Sequence, residues 1–260
     1  MLTKTTVMKY YNCLLALPIV CLLSGTISAQ APNFIGVKGG LSIPNLTSGS
    51  NNQNPLSNGF SSRTGPDFGI FGEHFFNNWF SLQFEVDYSA QGGKHNGLQA
   101  ITDPFGSNPP YFYANFKNQA RLNYLLLPIL AKGTLPLAEK WEFFMDAGVF
   151  AGFLLSAKIV SSGMSPIYAD PKGQEEVDSN AVNFDNTQNI KSSIHSFNLG
   201  FAGSVGFAYM CGHGKIFIEA GGNYGFINIQ KYAADGTNYT GAATIHIGYQ
   251  MAIICKKKKT

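Results

Sequence analysis

The stretch FSLQFEVDYSA, Phe80 to Ala90, alternates without a slip between apolar and polar residues. A period of two is typical of a β-strand, whose successive side chains point to opposite faces. In a soluble protein the apolar face would line a core. In a membrane barrel it would face lipid, and Glu85 and Asp87 would point into the lumen.

Seven further segments alternate in a similar way. Most run about ten residues or more, which exceeds the usual five or six of globular strands and suits the ~9–11 residues of a spanning strand. The sequence therefore predicts an all-β fold, an eight-stranded antiparallel up-and-down transmembrane β-barrel. Its predicted strands are Phe34–Ile43, Asp67–Phe76, Phe80–Gln91, Arg121–Gly133, Trp141–Ala157, Ser196–Tyr209, Ile216–Ile229 and Ala243–Ile253.

The connections between these segments alternate between long and short, which is typical of outer-membrane barrels. The pattern predicts short periplasmic turns at Asn77–Asn78, Leu135–Lys140 and Cys211–Lys215. It predicts long extracellular loops at Pro44–Gly65, Gly92–Asn118, Lys158–Ser193 and Gln230–Gly241.

The composition supports a β-rich protein with much apolar surface. Charged residues make up 13%, about half of the ~25% usual in soluble domains. A soluble, lipocalin-like barrel is the alternative, but one narrow interior could not bury all these large apolar side chains. The net charge of +3 and the single basic run, Lys256–Lys259, give no indication of nucleic-acid binding.

The N-terminus has the features of a secretory signal peptide. Lys4 and Lys9 precede the apolar run Cys13–Gly25, and small residues lead up to Ala29. We expect cleavage after Ala29. The predicted organisation is a signal peptide at 1–29, an outer-membrane barrel domain at 30–254 and a basic tail at 255–260.

Charged residues that we assign to the polar faces predict a structural network in the lumen. Buried charges need partners of opposite sign, so a plug of ion pairs is the simpler reading and a selective pore the alternative. Glu85 and Asp87 are spaced like a carboxylate pair, but no substrate groove accompanies them. We predict no catalytic residue, metal site or cofactor. The predicted network comprises Lys38, Glu73, Glu85, Asp87, Arg121, Lys132, Glu142, Asp146 and Glu219.

Two cysteines would remain after cleavage. Cys211 lies in a predicted periplasmic turn, and Cys255 lies at the same end of the last strand. Export permits a disulfide, so Cys211–Cys255 is a candidate pair, with two free thiols as the alternative.

Several stretches resemble the PorT-like outer-membrane β-barrel family. They include FIGVKGGLSIPNL at 34–46, the hairpin that contains FSLQFEVDYSA, LNYLLLPILAKG at 122–133 and IHIGYQM at 245–251. The resemblance implies the barrel fold, and the founding member is associated with type IX protein secretion. The acidic residue usual in the family's fourth strand is Leu126 here, which implies one lumen charge fewer.

The sequence favours a structural or interaction role through the extracellular loops, and not an enzyme. A PorT-like component of secretion or envelope assembly is one alternative, and a small-solute channel is another. The expected partners are outer-membrane lipid and a protein at the extracellular loops or the periplasmic end. Nothing indicates a nucleic acid or a small-molecule ligand.

Overall fold

The computed structural model describes residues 33–48, 54–103 and 111–253, and the signal peptide and basic tail predicted from the sequence lie outside them. Strands dominate, with two short 3₁₀ turns at Lys191–Ser193 and Ala233–Asp235. The strands are β1 (Asn33–Ser48), β2 (Gly65–Phe75), β3 (Phe80–Thr102), β4 (Tyr111–Pro136), β5 (Trp141–Ser162), β6 (Met164–Tyr168), β7 (Glu176–Asn183), β8 (Asn186–Asn189), β9 (Phe197–Cys211), β10 (Gly214–Gly225) and β11 (Asn238–Ile253).

Eight of these strands close into a ring in the order β1–β2–β3–β4–β5–β9–β10–β11. Every neighbouring pair is antiparallel, and the ring closes where β1 meets β11, from Asn33↔Ile253 to Ser48↔Asn238. Closure leaves the ring without an unpaired edge. The predicted eight-stranded barrel is confirmed.

The apolar face of each ring strand points outward. On β3, Phe84 and Val86 are exposed, whereas Gln83, Glu85 and Asp87 are buried in the lumen. The same alternation runs around the ring, as in Ile245 and Ile247 of β11. An apolar surface of this extent is far larger than soluble monomers expose, so it fits a lipid environment.

The lumen is too narrow for large side chains on every strand, and glycines on neighbouring strands leave space for the large ones. Four of the inward-pointing phenylalanines each lie against a glycine that is their direct cross-strand partner. A Cβ added to any of these glycines would collide with the phenylalanine ring. The pairs are Phe71–Gly36, Phe144–Gly206, Phe150–Gly200 and Phe217–Gly248.

At one end of the ring the strands are joined by tight turns. Between β2 and β3 the Asn77 side chain accepts hydrogen bonds from the backbone N–H groups of Trp79 (3.0 Å) and Phe80 (2.8 Å). Between β9 and β10, Gly212 adopts φ 62°, a left-handed conformation that glycine takes without strain. The predicted short turns lie here.

At the other end, much of the predicted loop sequence is strand. Gly92–Asn118 was predicted as a loop, but β3 and β4 stay paired from Phe80↔Gly133 to Thr102↔Tyr111. The 26 residues of β4 correspond to roughly 85 Å of extended chain, well beyond a spanning strand. The prediction failed here because it located strands by their apolar–polar alternation. Contact with lipid requires that alternation only within the membrane.

The connection from β5 to β9 also carries strands. β6 pairs with β4 and β7, and β8 pairs with β5. We call the parts of β3–β5 beyond the ring, together with β6–β8, the upper sheet (residues 91–102, 111–122, 156–162, 164–168, 176–183 and 186–189). Among the described residues there is no helix long and apolar enough to cross a membrane.

Candidate functional site

A charged cluster fills the middle of the lumen, and Lys38 lies at its centre. The Lys38 ammonium lies 2.8 Å from Glu85, 3.4 Å from Glu219 and 3.6 Å from Asp87. All four side chains are buried. Lys38, on β1, thereby ties β3 to β10 across the barrel.

His246 on β11 extends the cluster to a further strand. Its Nδ1 lies 3.0 Å from Glu219 Oε1, and its Nε2 lies 3.0 Å from Asp67 Oδ1. Only the protonated ring offers a donor to each carboxylate. Asp146 completes the chamber, accepting hydrogen bonds from the Ser204 backbone N–H (2.9 Å) and hydroxyl (2.8 Å).

Two further lysines make ion pairs towards the tight-turn end. Lys132 lies 3.4 Å from Glu73, hydrogen-bonds to Gln83 at 3.0 Å and stands 4.4 Å from the centre of the Phe144 ring. Lys215 lies 2.6 Å from Glu142. These contacts satisfy charges that would be costly to bury alone.

Apolar side chains close the lumen on both sides of the charged chamber. Phe71, Phe144 and Phe217 cluster towards the tight turns. A larger cluster lies towards the upper sheet, and Ile194 and Ile229 join it from the connections outside the ring. The cavity between them, lined by Lys38, Asp87 and His246 among others, measures about 40 Å³, room for a few water molecules.

Most of the predicted lumen residues lie in this network, with one correction. Lys38, Glu73, Glu85, Asp87, Lys132, Asp146 and Glu219 are buried, and Glu142 is half-buried. Arg121 was predicted to lie in the lumen, and that prediction is wrong. It is exposed, shares the outer face of β4 with Leu125, and donates two hydrogen bonds to Gln119 (3.0 and 2.9 Å).

The predicted network left out other members, although the alternation had already placed Gln83 and His246 on polar faces. Asp67, Gln83, Lys215 and His246 are buried and bonded within it. Asp67 is six residues from Glu73, and an even separation places two strand residues on the same face. Counting strand parity outward from Glu73 would have found it. Lys215 lay just outside the predicted boundary of its strand.

The carboxylate pair on β3 is held by neighbours. Glu85 accepts hydrogen bonds from Lys38 and Gln83, and Asp87 lies beside Lys38. The described part of the chain contains no group of three or more histidine, cysteine, aspartate or glutamate side chains arranged to hold a metal ion. The ion pairs of Lys38 join β1 to β3 and β10.

The cysteine pair stays a prediction. Cys211 is exposed at the end of β9 and has no disulfide partner among the described residues, and Cys255 lies outside them. Counting thiols in the denatured protein with and without reductant decides between a disulfide and two free cysteines.

The upper sheet has an ordered tip. In the turn between β6 and β7, the Asp170 carboxylate accepts hydrogen bonds at 2.8 Å from the backbone N–H groups of Glu175, Gln174 and Lys172. The bond from Glu175 is the largest of the effects that lower the pKa of Asp170. Nearer the ring, the Phe116 and Phe184 rings stack at 4.5 Å. The connections beyond the ring are therefore held by specific hydrogen bonds and ring contacts.

A comparison of the sequence with known protein families supports the barrel fold. The family model described as "Outer membrane protein beta-barrel domain" matches residues 29–231, most of the chain. No curated protein matches the sequence.

Several solved outer-membrane proteins are similar to this chain at low identity. Neisserial surface protein A is 11% identical, with a TM-score of 0.43, over 86% of this chain and 100% of its own. OprG from Pseudomonas aeruginosa is 14% identical, with a TM-score of 0.38, over 88% and 100%. The outer membrane protease OmpT from Escherichia coli is 10% identical, with a TM-score of 0.47, over 88% and 99%. Likenesses this weak carry no argument about activity. On its family match, this chain belongs to the outer membrane protein β-barrel domain family.

Proposed function

We propose that the protein is a non-catalytic outer-membrane anchor that presents the upper sheet at the cell surface for contact with another protein. The observation that carries the proposal is the continuation of β3, β4 and β5 as a paired sheet far beyond the ring. A barrel that only filled a place in the membrane would not need these extensions. Rigid, exposed structure on a membrane anchor suits recognition.

The two edges of the upper sheet supply a mode of contact. The strand order begins at β7 and ends at β8, and each of these strands pairs on one side only with the strands that the structure describes. Open edges can accept a strand from another chain, with main-chain hydrogen bonds supplying affinity. Val177 on the edge strand β7 is 48% exposed, so the first edge also offers an apolar side chain.

The closed lumen supports an anchor over a channel. Apolar clusters lie on both sides of a chamber of about 40 Å³. Eight-stranded barrels have interiors just wide enough for side chains. A solute would have to displace Phe144 or Leu126 as well as the Lys38 ion pairs.

The placement of the chain in the cell is part of the proposal. The family match supports a location in the outer membrane. In the proposed arrangement residues 1–29 are removed on export, the tight turns lie in the periplasm, and the upper sheet lies outside the cell. Membership of the PorT-like branch rests on the resemblance of the quoted strands. Sequencing the mature N-terminus, and fractionating the envelope, test the placement.

A proline on the open edge tests the recognition role. Val177→Pro removes a backbone donor from β7, whereas Val177→Thr keeps it. We expect a photo-crosslinker at Asn180, exposed on the same edge strand, to capture a surface protein in the Val177→Thr variant and to lose it in Val177→Pro. Both variants should keep heat-modifiable migration on a gel, which reports the folded barrel. Equal capture by both, or stepwise conductance of the wild type in planar bilayers, would contradict the proposal.

A further inference from the structure

A row of positive charges lies on the outer face just above the lipid-facing band. Arg121 on β4 and Lys158 on β5 are direct cross-strand partners, and both are exposed. Leu125 and Phe153, also cross-strand partners, lie four and five residues nearer the membrane on the same strands. Leu155, an exposed apolar residue of β5, is nearer still, only three residues from Lys158, so the cations stand roughly 10 Å along the strand from the apolar surface.

Two more cations flank this pair. The Arg63 guanidinium donates to the Gln91 carbonyl at 2.8 and 3.3 Å, which fixes it against β3. Gly92, the residue after Gln91 on β3, is the direct cross-strand partner of Arg121, so Arg63 is held against the part of the sheet that carries Arg121. Burial lowers the pKa of Arg63, and the positive charge of Arg121 lowers it further. On the other side, the Lys191 ammonium donates to the Leu155 carbonyl at 2.9 Å.

Among the described residues, no ion pair joins an acidic side chain to a member of this row. The chain has 15 acidic residues, and all of them fall within the described ranges. The ion pairs among the described residues involve Lys38, Lys132, Lys215 and His246, and none involves a member of the row. Acidic residues that point into the lumen are Asp67, Glu73, Glu85, Asp87, Glu142, Asp146 and Glu219.

Like charges directly opposite one another destabilise a sheet, so the Arg121–Lys158 pair calls for an anion from outside the chain. Its position selects the kind of anion. A ligand at this height touches the apolar band below and the cations above. A lipid of the outer leaflet has that combination, with acyl chains beside Leu125 and phosphate beside the guanidiniums. Arginine suits phosphate because its donors can bind two oxygens at once.

We propose that Arg63, Arg121, Lys158 and Lys191 form a binding site for the phosphate groups of an anionic lipid in the outer leaflet. The inference rests on the outer-membrane placement proposed above. The site would orient the barrel about its own axis, because the row occupies only the β3–β5 side. It would thereby fix the direction in which the upper sheet faces along the cell surface.

The test uses the purified mature protein in neutral detergent, and lipid A in its phosphorylated and dephosphorylated forms as probes. Native mass spectrometry measures how much of each lipid stays bound. We expect the wild type to retain the phosphorylated form selectively. Removal of one charge, by Arg121→Gln or Lys158→Gln, should weaken retention about fivefold, and the double variant should weaken it roughly 25-fold.

Controls separate charge, fold and ligand source. Lys140→Gln in a tight turn and Lys172→Gln at the tip of the upper sheet remove exposed charges elsewhere and should bind like the wild type. The charge-keeping exchange of Arg121→Lys with Lys158→Arg should retain lipid, and every variant should keep heat-modifiable migration, which reports the barrel independently of lipid.

Three results would overturn the inference. The first is equal retention by the wild type and the double glutamine variant. The second is loss of lipid in the charge-keeping exchange as complete as in the glutamine pair. The third is competition by inorganic phosphate at the concentration at which phosphorylated lipid A binds, which would assign the site to a soluble anion.

Discussion

Phe217 on β10 lies against Gly248 on β11, its direct cross-strand partner, and leaves no room for a Cβ at that position. We predict that Gly248→Val prevents the barrel from closing, because the added methyl groups would meet both the ring and the Val37 carbonyl. Overpacking of this kind costs about 1–3 kcal/mol or more. Heat-modifiable migration and urea titration after refolding into lipid vesicles measure the loss.

The matched control for Gly248 is Gly72 on β2. It faces outward, and a Cβ there would have no heavy atom within 4 Å. Gly72→Val should fold like the wild type. If both valine variants fold normally, the close approach of Phe217 does not limit closure.

Lys38 balances three buried carboxylates, and its loss should be severe. Lys38→Met removes the cation within 4 Å of Glu85, Asp87 and Glu219. Breaking a buried ion pair by removing one partner costs about 3–5 kcal/mol. Lys140→Met, at an exposed turn, should change the free energy of unfolding by no more than about 0.5 kcal/mol. Equal urea midpoints for the two variants would refute this role of Lys38.

The outward orientation of Phe84 predicts an effect on membrane assembly. Phe84→Asp places a charge on the lipid face of β3, where charged substitutions destabilise barrels in a depth-dependent way. We expect less folded protein in the outer-membrane fraction. Phe84→Leu keeps the face apolar and should assemble normally. Unimpaired assembly of the aspartate variant would place this face away from lipid.

The turn held by Asp170 should open at low pH. Backbone hydrogen bonds lower the pKa of Asp170, so the bonds stabilise the turn above the ordinary aspartate pKa, about 3.9. This contribution disappears as the pH falls through the lowered value. Asp170→Ala should therefore lower the amide protection factors of residues 172–175 at neutral pH, and acid should lower them in the wild type once the pH dependence of intrinsic exchange is corrected for. Glu176→Gln, exposed nearby, is the control.

Much of the ring was predictable because lipid and lumen impose opposite demands on alternate residues. The stretch from Phe80 to Ala90 shows this, and the structure orients its residues as the pattern indicates. The second strand was harder, because Phe71 and Phe75 point inward as Phe68 and Ile70 point outward. Aromatics on both faces hide the period, and only the glycines on neighbouring strands make room for the inner rings.

The upper sheet and the row of cations escaped prediction for a related reason. Beyond the membrane, both faces of β3 and β4 meet water or other protein, so the sequence loses its strict alternation. Arg121 illustrates the error. Its charge suggested the lumen, although its spacing of four from Leu125 places it on the outer face. Contacts between distant strands, such as that of Lys38 with Glu219, follow only from the closed ring.

The pairing of β1 with β11 also constrains how the protein can be made. Asn33 finds its partner, Ile253, only at the far end of the sequence, so nearly the whole chain must be exported before the seam can form. Until then β1 and β11 are two open edges, which can join to other chains. Long-range pairing of this kind is slow. A chaperone that covers the edge of β1 until β11 is available would prevent pairing with other chains before the barrel closes.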